Sequence, residues 1–209
     1  MTRLSAICAL IKKADVIADV GCDHGRVAEY IVKHKLSQKT IASDISESCL
    51  SKAKTRLNGY DGVEFICCDG IGYECDEAVI AGMGGHTVIG ILNRAAVLPD
   101  SLIICAHRNT YEVRGALVTL GYGITADITV EERRKFYSVI RAEKGKGARE
   151  LTELQRLFGV NYAEKSEPLE KYLLSLQSTY MRAADRNEEK LKLVRAALIC
   201  QGVTPDTTN

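Results

Sequence analysis

The sequence predicts an α/β fold: a doubly wound, mostly parallel sheet of seven strands whose last strand runs antiparallel, followed by a small helical C-terminal region. Three observations carry this. From Asp15 to Leu120, apolar strand-like runs alternate with helical stretches. Two of those runs end in glycine turns, Asp19-Val20-Gly21-Cys22-Asp23-His24-Gly25 and Ala81-Gly82-Met83-Gly84-Gly85. After Arg149 strand signals vanish, and leucines and tyrosines recur at helical spacing. Alternation of this kind buries a parallel sheet between helices and leaves ligands at the carboxyl ends of the strands.

Arg3 to Lys13 reads as an opening amphipathic helix with Leu4, Ile7, Cys8 and Ile11 on one face. It is too charged for a signal peptide, and no stretch approaches the ~20 apolar residues that span a membrane, so a cytoplasmic protein is expected. Strand Asp15–Val20 leads into helix Arg26–His34, strand Thr40–Ser43 into helix Glu47–Leu57. Strand Val63–Cys67 follows, then strand Glu77–Ala81 with helix Thr87–Ala96, and strand Leu102–Cys105 with helix Tyr111–Leu120. Gly121–Val130 and Lys135–Ala142 are two extended segments joined by Glu131-Glu132-Arg133-Arg134, the pattern of a hairpin, which makes the last strand antiparallel. Beyond it, Leu151, Leu154, Leu157 and Phe158 mark a short helix. Pro168 marks a helix start, and Leu169, Tyr172, Leu173, Leu176 and Tyr180, then Leu191, Val194 and Leu198, mark a helical hairpin or bent coiled pair ending near Cys200. Gly202–Asn209 reads as a frayed tail. The expected division is 1–148 and 149–209.

With 209 residues, 46% hydrophobic and 26% charged, the chain is that of an ordinary folded protein. A net charge of +1 excludes nucleic-acid binding by bulk charge but leaves room for a local basic face. Arg133, Arg134, Lys135, Arg141, Lys144, Lys146 and Arg149 cluster in sequence where such a face is expected. Trp is absent, so base stacking would rest on Tyr, His or Arg. The eight cysteines form no Cys-x-x-Cys pair. They read as reduced thiols, with no metal site.

Four loops at strand ends carry the candidate chemistry. In the first, Gly21 and Gly25 permit a tight turn and close backbone approach. Asp19, Cys22 and Asp23 make the turn acidic, and no Gly-x-Gly-x-x-Gly is present. Carboxylates repel a pyrophosphate but suit an ammonium, which points away from NAD and toward S-adenosylmethionine. Asp44, with Ile45 beside it, ends the second strand, where a carboxylate accepts both ribose hydroxyls of either cofactor; the plain alternative is a helix N-terminal acid. Asp69-Gly70 follows the third strand, suited to an adenine amino group or to a simple turn. Gly82, Met83, Gly84 and Gly85 follow the fourth and leave space beside a reacting centre.

The order Asp-x-Gly-x-Asp-His, an acid after strand two, Asp-Gly after strand three and Ala-Gly-Met-Gly-Gly after strand four resembles the bacterial tRNA (adenine(22)-N1)-methyltransferases. Lys135-Phe136-Tyr137-Ser138-Val139-Ile140 and the helical C-terminal part are also similar, so the resemblance covers nearly the whole chain. It implies a Rossmann-like class I methyltransferase that uses S-adenosylmethionine and acts on tRNA. Where that family usually has Gln-Pro-Asn after strand five, this chain has Cys105-Ala106-His107. Adenine N1 carries a lone pair and attacks a sulfonium methyl directly, so alignment matters most. Asp23 is expected to stabilise the developing positive charge or to bind the cofactor, with His24 beside it; His107 and Asn109 are candidates for holding the target base. Other readings are a methyltransferase for another RNA position or a small molecule, a noncatalytic tRNA-binding protein, and a dehydrogenase.

Overall fold

The computed structural model describes residues 1–182 and 184–205. Its elements run α1 (Arg3–Leu10), β1 (Ala14–Val20), α2 (Arg26–Lys33), β2 (Ser37–Asp44), α3 (Glu47–Arg56), β3 (Val63–Cys67), β4 (Glu77–Ala81), α4 (Gly85–Arg94), β5 (Ser101–Cys105), α5 (Thr110–Thr119), β6 (Tyr122–Glu132), β7 (Lys135–Lys144), α6 (Glu153–Phe158), α7 (Glu167–Met181) and α8 (Ala184–Cys200). The seven strands form one sheet in the order β3-β2-β1-β4-β5-β7-β6. β1 pairs in parallel with β2 on one side and β4 on the other, so the strand order reverses beside β1. β7 is antiparallel to both of its neighbours, β5 and β6.

The central strands are apolar because both of their faces are covered. Alternate residues of β5 serve opposite sides. Leu102 and Ile104 pack with Val88 and Leu92 of α4 and Val113 and Leu117 of α5. Ile103 and Cys105 pack with Ile7 of α1 and Val27 and Ile31 of α2. Each such buried aliphatic side chain contributes about 1.5–3 kcal/mol of transfer free energy. These two layers fix the strand ends, and with them the loops after β1, β2, β4 and β5.

The helices after β7 have a core of their own: Phe158, Leu169, Leu173, Val194, Ala197 and Leu198. Thr152 and Gln155 form a capping box on α6, and Ser166 caps α7 with Pro168 in its first turn. A single buried cation ties this part to the sheet. Arg114 donates from Nε to Asp127 Oδ2 at 2.7 Å, from its terminal nitrogens to Asp127 Oδ1 and Ser138 Oγ, and to the carbonyls of Arg156 and Leu157. Asp127 Oδ2 also accepts from the Val160 amide.

Two expectations change. The hairpin link is shorter than Glu131–Arg134: β6 continues through Glu132 and β7 starts at Lys135, which leaves Arg133 and Arg134 as a two-residue turn. Both take positive φ, 51° and 61°. A two-residue hairpin turn needs this to match the strand twist, and side chains adopt it at a cost. Nor do the seven basic residues share one face. The ten residues of β7 separate its two ends by about 30 Å. Arg133, Arg134 and Lys135 are exposed at one end. Arg141 is buried and pairs with Glu77 and Glu143, and Lys146 pairs with Glu143 toward the other end. Of the tail, Val203 packs on the helical core, and residues 206–209 lie outside the described residues. No described helix is long and apolar enough to cross a membrane.

Candidate active site

β1 delivers its chain to a turn bolted to β2. The amides of Gly21 (φ 73°) and Cys22 both donate to the Ser43 carbonyl, at 2.8 and 2.9 Å. Asp23, at φ 46°, donates its amide to Asp44 Oδ2 at 3.0 Å, while the Ser46 amide donates to Oδ1 at 2.9 Å. Asp44 thus braces the turn with one lone pair of each oxygen and keeps the others for a ligand. Gly25, at φ 66°, starts α2.

Asp19 is the outlying group. It is 4% exposed, accepts one hydrogen bond, from the Ala28 amide at 3.1 Å, and has no cationic partner among the described residues. Burial, reinforced by the charge of Asp44 and only partly offset by the Ala28 bond, pushes its carboxyl up to about 7. A buried carboxylate without a counter-ion in a cleft marks a functional site. Asp19, Gly21, Cys22, Asp23, His24 and Gly82 line one cavity of about 330 Å³, closed by Arg3, Leu4 and Ile7 from α1 and by Arg26 and Val27 from α2. Burial pushes the Cys22 thiol up to about 12, which leaves it a neutral wall rather than a nucleophile. His24 Nε2 stands 3.7 Å from Asp23 Oδ2, and both side chains are exposed.

The loop after β4 meets the first turn directly: a Cβ on Gly21 would lie 2.7 Å from Met83 Cε. Gly82, at φ 84°, would meet nothing within 4 Å. Gly84 caps α4, and a Cβ on Gly85 would lie 2.7 Å from the carbonyl oxygens of both Arg108 and Asn109. The Gly85 amide donates to Arg108 O, and the His107 amide to Met83 O at 2.9 Å. These bonds stitch the loops after β4 and β5 together.

Asp44, Ile45, Asp69 and Gly70 stand outside this cavity, at the ends of β2 and β3. Ile45 is 72% exposed beside Asp44. Asp69 is held by Arg94 at 3.0 and 3.1 Å, an exposed pair of small worth. Gly70 takes φ 88° against Ile91.

His107 and Asn109 line a different cavity, also about 330 Å³, between the β5 loop, the β6–β7 hairpin and α6–α7. Asn109 sits at φ 63° at the head of α5. Arg3 reaches His107 Nε2 at 3.1 Å and lies 4.9 Å over the Tyr137 ring. An arginine only donates, so Nε2 accepts and the ring is neutral. Partial burial, then the charges of Arg3, Lys135 and Arg108, lower its pKa and hold it so. Arg3, Arg26 and Tyr137 are missed by sequence reasoning. Arg3 and His107 are 104 residues apart, and no local pattern announces such a contact.

Residues 1–140 match a family described as a methyltransferase domain. A Mycoplasma pneumoniae protein, provisionally named a tRNA methyltransferase, is 33% identical over 190 residues, covering 85% of this chain and 89% of its own. The tRNA (adenine(22)-N(1))-methyltransferase of Bacillus subtilis is 29% identical over 157 residues, 68% of this chain and 64% of that protein. Among solved structures, TrmK of M. capricolum with S-adenosylhomocysteine superimposes at a TM-score of 0.87 and 23% identity, covering 96% of this chain and 98% of that one. At that identity the likeness is one of fold.

Proposed function

This chain belongs to the methyltransferase-domain family, alongside tRNA methyltransferases, and from that membership we propose that it methylates N1 of adenine 22 in tRNA, in the bacterial cytoplasm, with S-adenosylmethionine as donor. The observation that carries the cofactor is Asp19: a buried carboxylate with no cationic partner among the described residues lining a cleft at the switch point of the sheet. An amino-acid ammonium supplies the missing counter-charge, and Asp19 gives up its proton to bind it. A pyrophosphate would face two carboxylates in that cavity, Asp19 and Asp23.

S-adenosylmethionine, when bound, supplies a methyl group on a sulfonium. Asp19 holds the ammonium end. Asp44 takes the ribose hydroxyls on the lone pairs left by the Asp23 and Ser46 amides. Ile45 and the Asp69-Gly70 turn take the adenine, which costs little because the Asp69–Arg94 pair is exposed. Gly21, Cys22, Gly25 and the run Gly82–Gly85 keep the backbone close and free of side chains. Adenine N1 would accept that cofactor's methyl on its own lone pair, so this chain need provide no base to take a proton from N1. Catalysis then rests on alignment and on charge. Asp23, exposed at the mouth, stabilises the cationic product edge, with His24 as its hydrogen-bonding neighbour. His107, whose Nδ1–H remains to donate while Nε2 accepts from Arg3, and Asn109 position the base from the β5 loop.

Methyl transfer to unmodified tRNA, followed by nucleoside mass spectrometry and mapping, tests this. One N1-methyladenine at position 22 is expected. Modification elsewhere, or none, overturns the reading. An Asp23→Ala variant with full turnover and normal cofactor affinity would remove Asp23 from catalysis.

A further inference from the structure

The second cavity is not part of the cofactor cleft. It contains none of the glycine-loop residues 19–25 or 82–85, and it opens beside His107 and Asn109, the pair proposed to position the target base. Yet the two share a wall: Arg3 lines the first and bonds His107, which lines the second. The second cavity is aromatic where the first is acidic. Phe136 and Tyr172 meet at 5.3 Å and 43°, and Tyr137 stands edge-on to His107 at 6.2 Å. All three aromatic side chains are only half-buried. Polar groups ring them: Arg108, Asn109 and Ser138. Arg108 is exposed and has no ion-pair partner among the described residues. The exposed hairpin cations Arg133, Arg134 and Lys135 stand at the same end of the sheet.

Flat aromatic faces rimmed by amide, hydroxyl and guanidinium donors match a nucleobase, and free cations match the phosphate that joins it to the next nucleotide. We propose that this cavity holds a base adjacent to the one being methylated, stacked on Tyr172 and Phe136, with Arg108 on the linking phosphate. The inference rests on an RNA substrate. It assigns the helices after β7 a part in the site, since Tyr172 belongs to α7.

The experiment pairs abasic RNA with cavity variants. Wild-type protein, Tyr172→Ala and the milder Phe136→Leu are titrated, in the presence of S-adenosylhomocysteine, with a tRNA transcript and with two copies abasic at one or the other neighbour of adenine 22. Thermal melts confirm folding, and the milder variant keeps the test valid where Tyr172→Ala melts early. Wild type is expected to lose about tenfold in affinity or more for one abasic neighbour, the worth of one stacked base. Both variants are expected to bind all three RNAs almost equally. Equal losses for wild type and variants, or no loss with either abasic RNA, overturn the proposal. Methyl transfer by wild type to intact transcript is read separately, so a failure there counts against the reaction and not against the cavity.

Discussion

The cleft beside Asp19 is built on turns that directly follow their own strands, with α1 and α2 closing it, whereas the cavity beside Tyr172 gathers the β5 loop, a distant hairpin and a helix after it. Local chain geometry shapes the first. Gly21, Asp23 and Gly25 take positive φ in succession, and Ser43 and Asp44 pin them from the neighbouring strand. Long-range docking shapes the second, and one buried arginine secures that docking. A cofactor that binds the cleft asks for a rigid cradle. A polymer that binds the cavity meets a surface assembled from separate parts, each free to vary.

The contrast can be broken most forcefully at Arg114. Arg114→Leu leaves Asp127 buried without its partner and should cost about 3–5 kcal/mol in urea unfolding. RNA affinity should fall with it, while cofactor affinity of the folded fraction stays unchanged. A matched Arg114→Leu, Asp127→Leu pair should recover most of the stability. Equal damage to both affinities would mean that the two regions are one cooperative unit.

Asp19→Asn should do the converse. Loss of a charged hydrogen bond weakens S-adenosylmethionine by about 10- to 150-fold, from roughly 1.5–3 kcal/mol, in calorimetry. Ligand-free stability above neutral pH should hold or rise, because an isolated buried charge is gone. Unchanged cofactor affinity would remove Asp19 from the site.

The same residue predicts a pH dependence. Its folded pKa, about 7, lies above the ordinary 3.8. Its contribution to ligand-free stability is therefore complete below pH 3.8 and is lost as pH rises through 7. Cofactor affinity runs the other way. It should climb by up to about tenfold per pH unit below 7 and then level, and Asp19→Asn should flatten that slope. A flat profile in the wild type would refute the linkage.

The smallest effect sharpens the RNA side. Glycine at 133 and 134 relieves two positive-φ side chains and should stabilise the hairpin by about 1 kcal/mol per position. The same double variant should weaken RNA binding and reduce the salt slope by up to about two. Stability gained with an unaltered salt slope would exclude the tip from the RNA footprint.

How far the sequence announced these regions follows the same divide. Alternating strands and helices, the two glycine turns and the acids at 19, 23 and 44 are local signals, and each sits at the strand end expected of it. Three matters were not legible. The run of cations from Arg133 to Arg149 looked like one patch because a sequence does not show that β7 is long enough to carry its two termini to opposite ends of the sheet. Arg141 looked like a surface charge, although Glu77 and Glu143 hold it in the interior. Arg3 gave no sign at all, since its role depends on α1 folding back against residues more than 100 positions away.

That last contact bears on how the protein is made. Ile7 of α1 and Ile11 just after it share a cluster with Val130 and Val139, and the Arg3 amide donates to Glu132. At ribosomal speeds about 130 residues take on the order of ten seconds to synthesise. Until then α1 lacks the part of its cover that β6 and β7 supply. α1 therefore waits for partners more than 100 residues further along the chain, and the wall between the two cavities is finished only once Tyr137 has been added to the nascent chain.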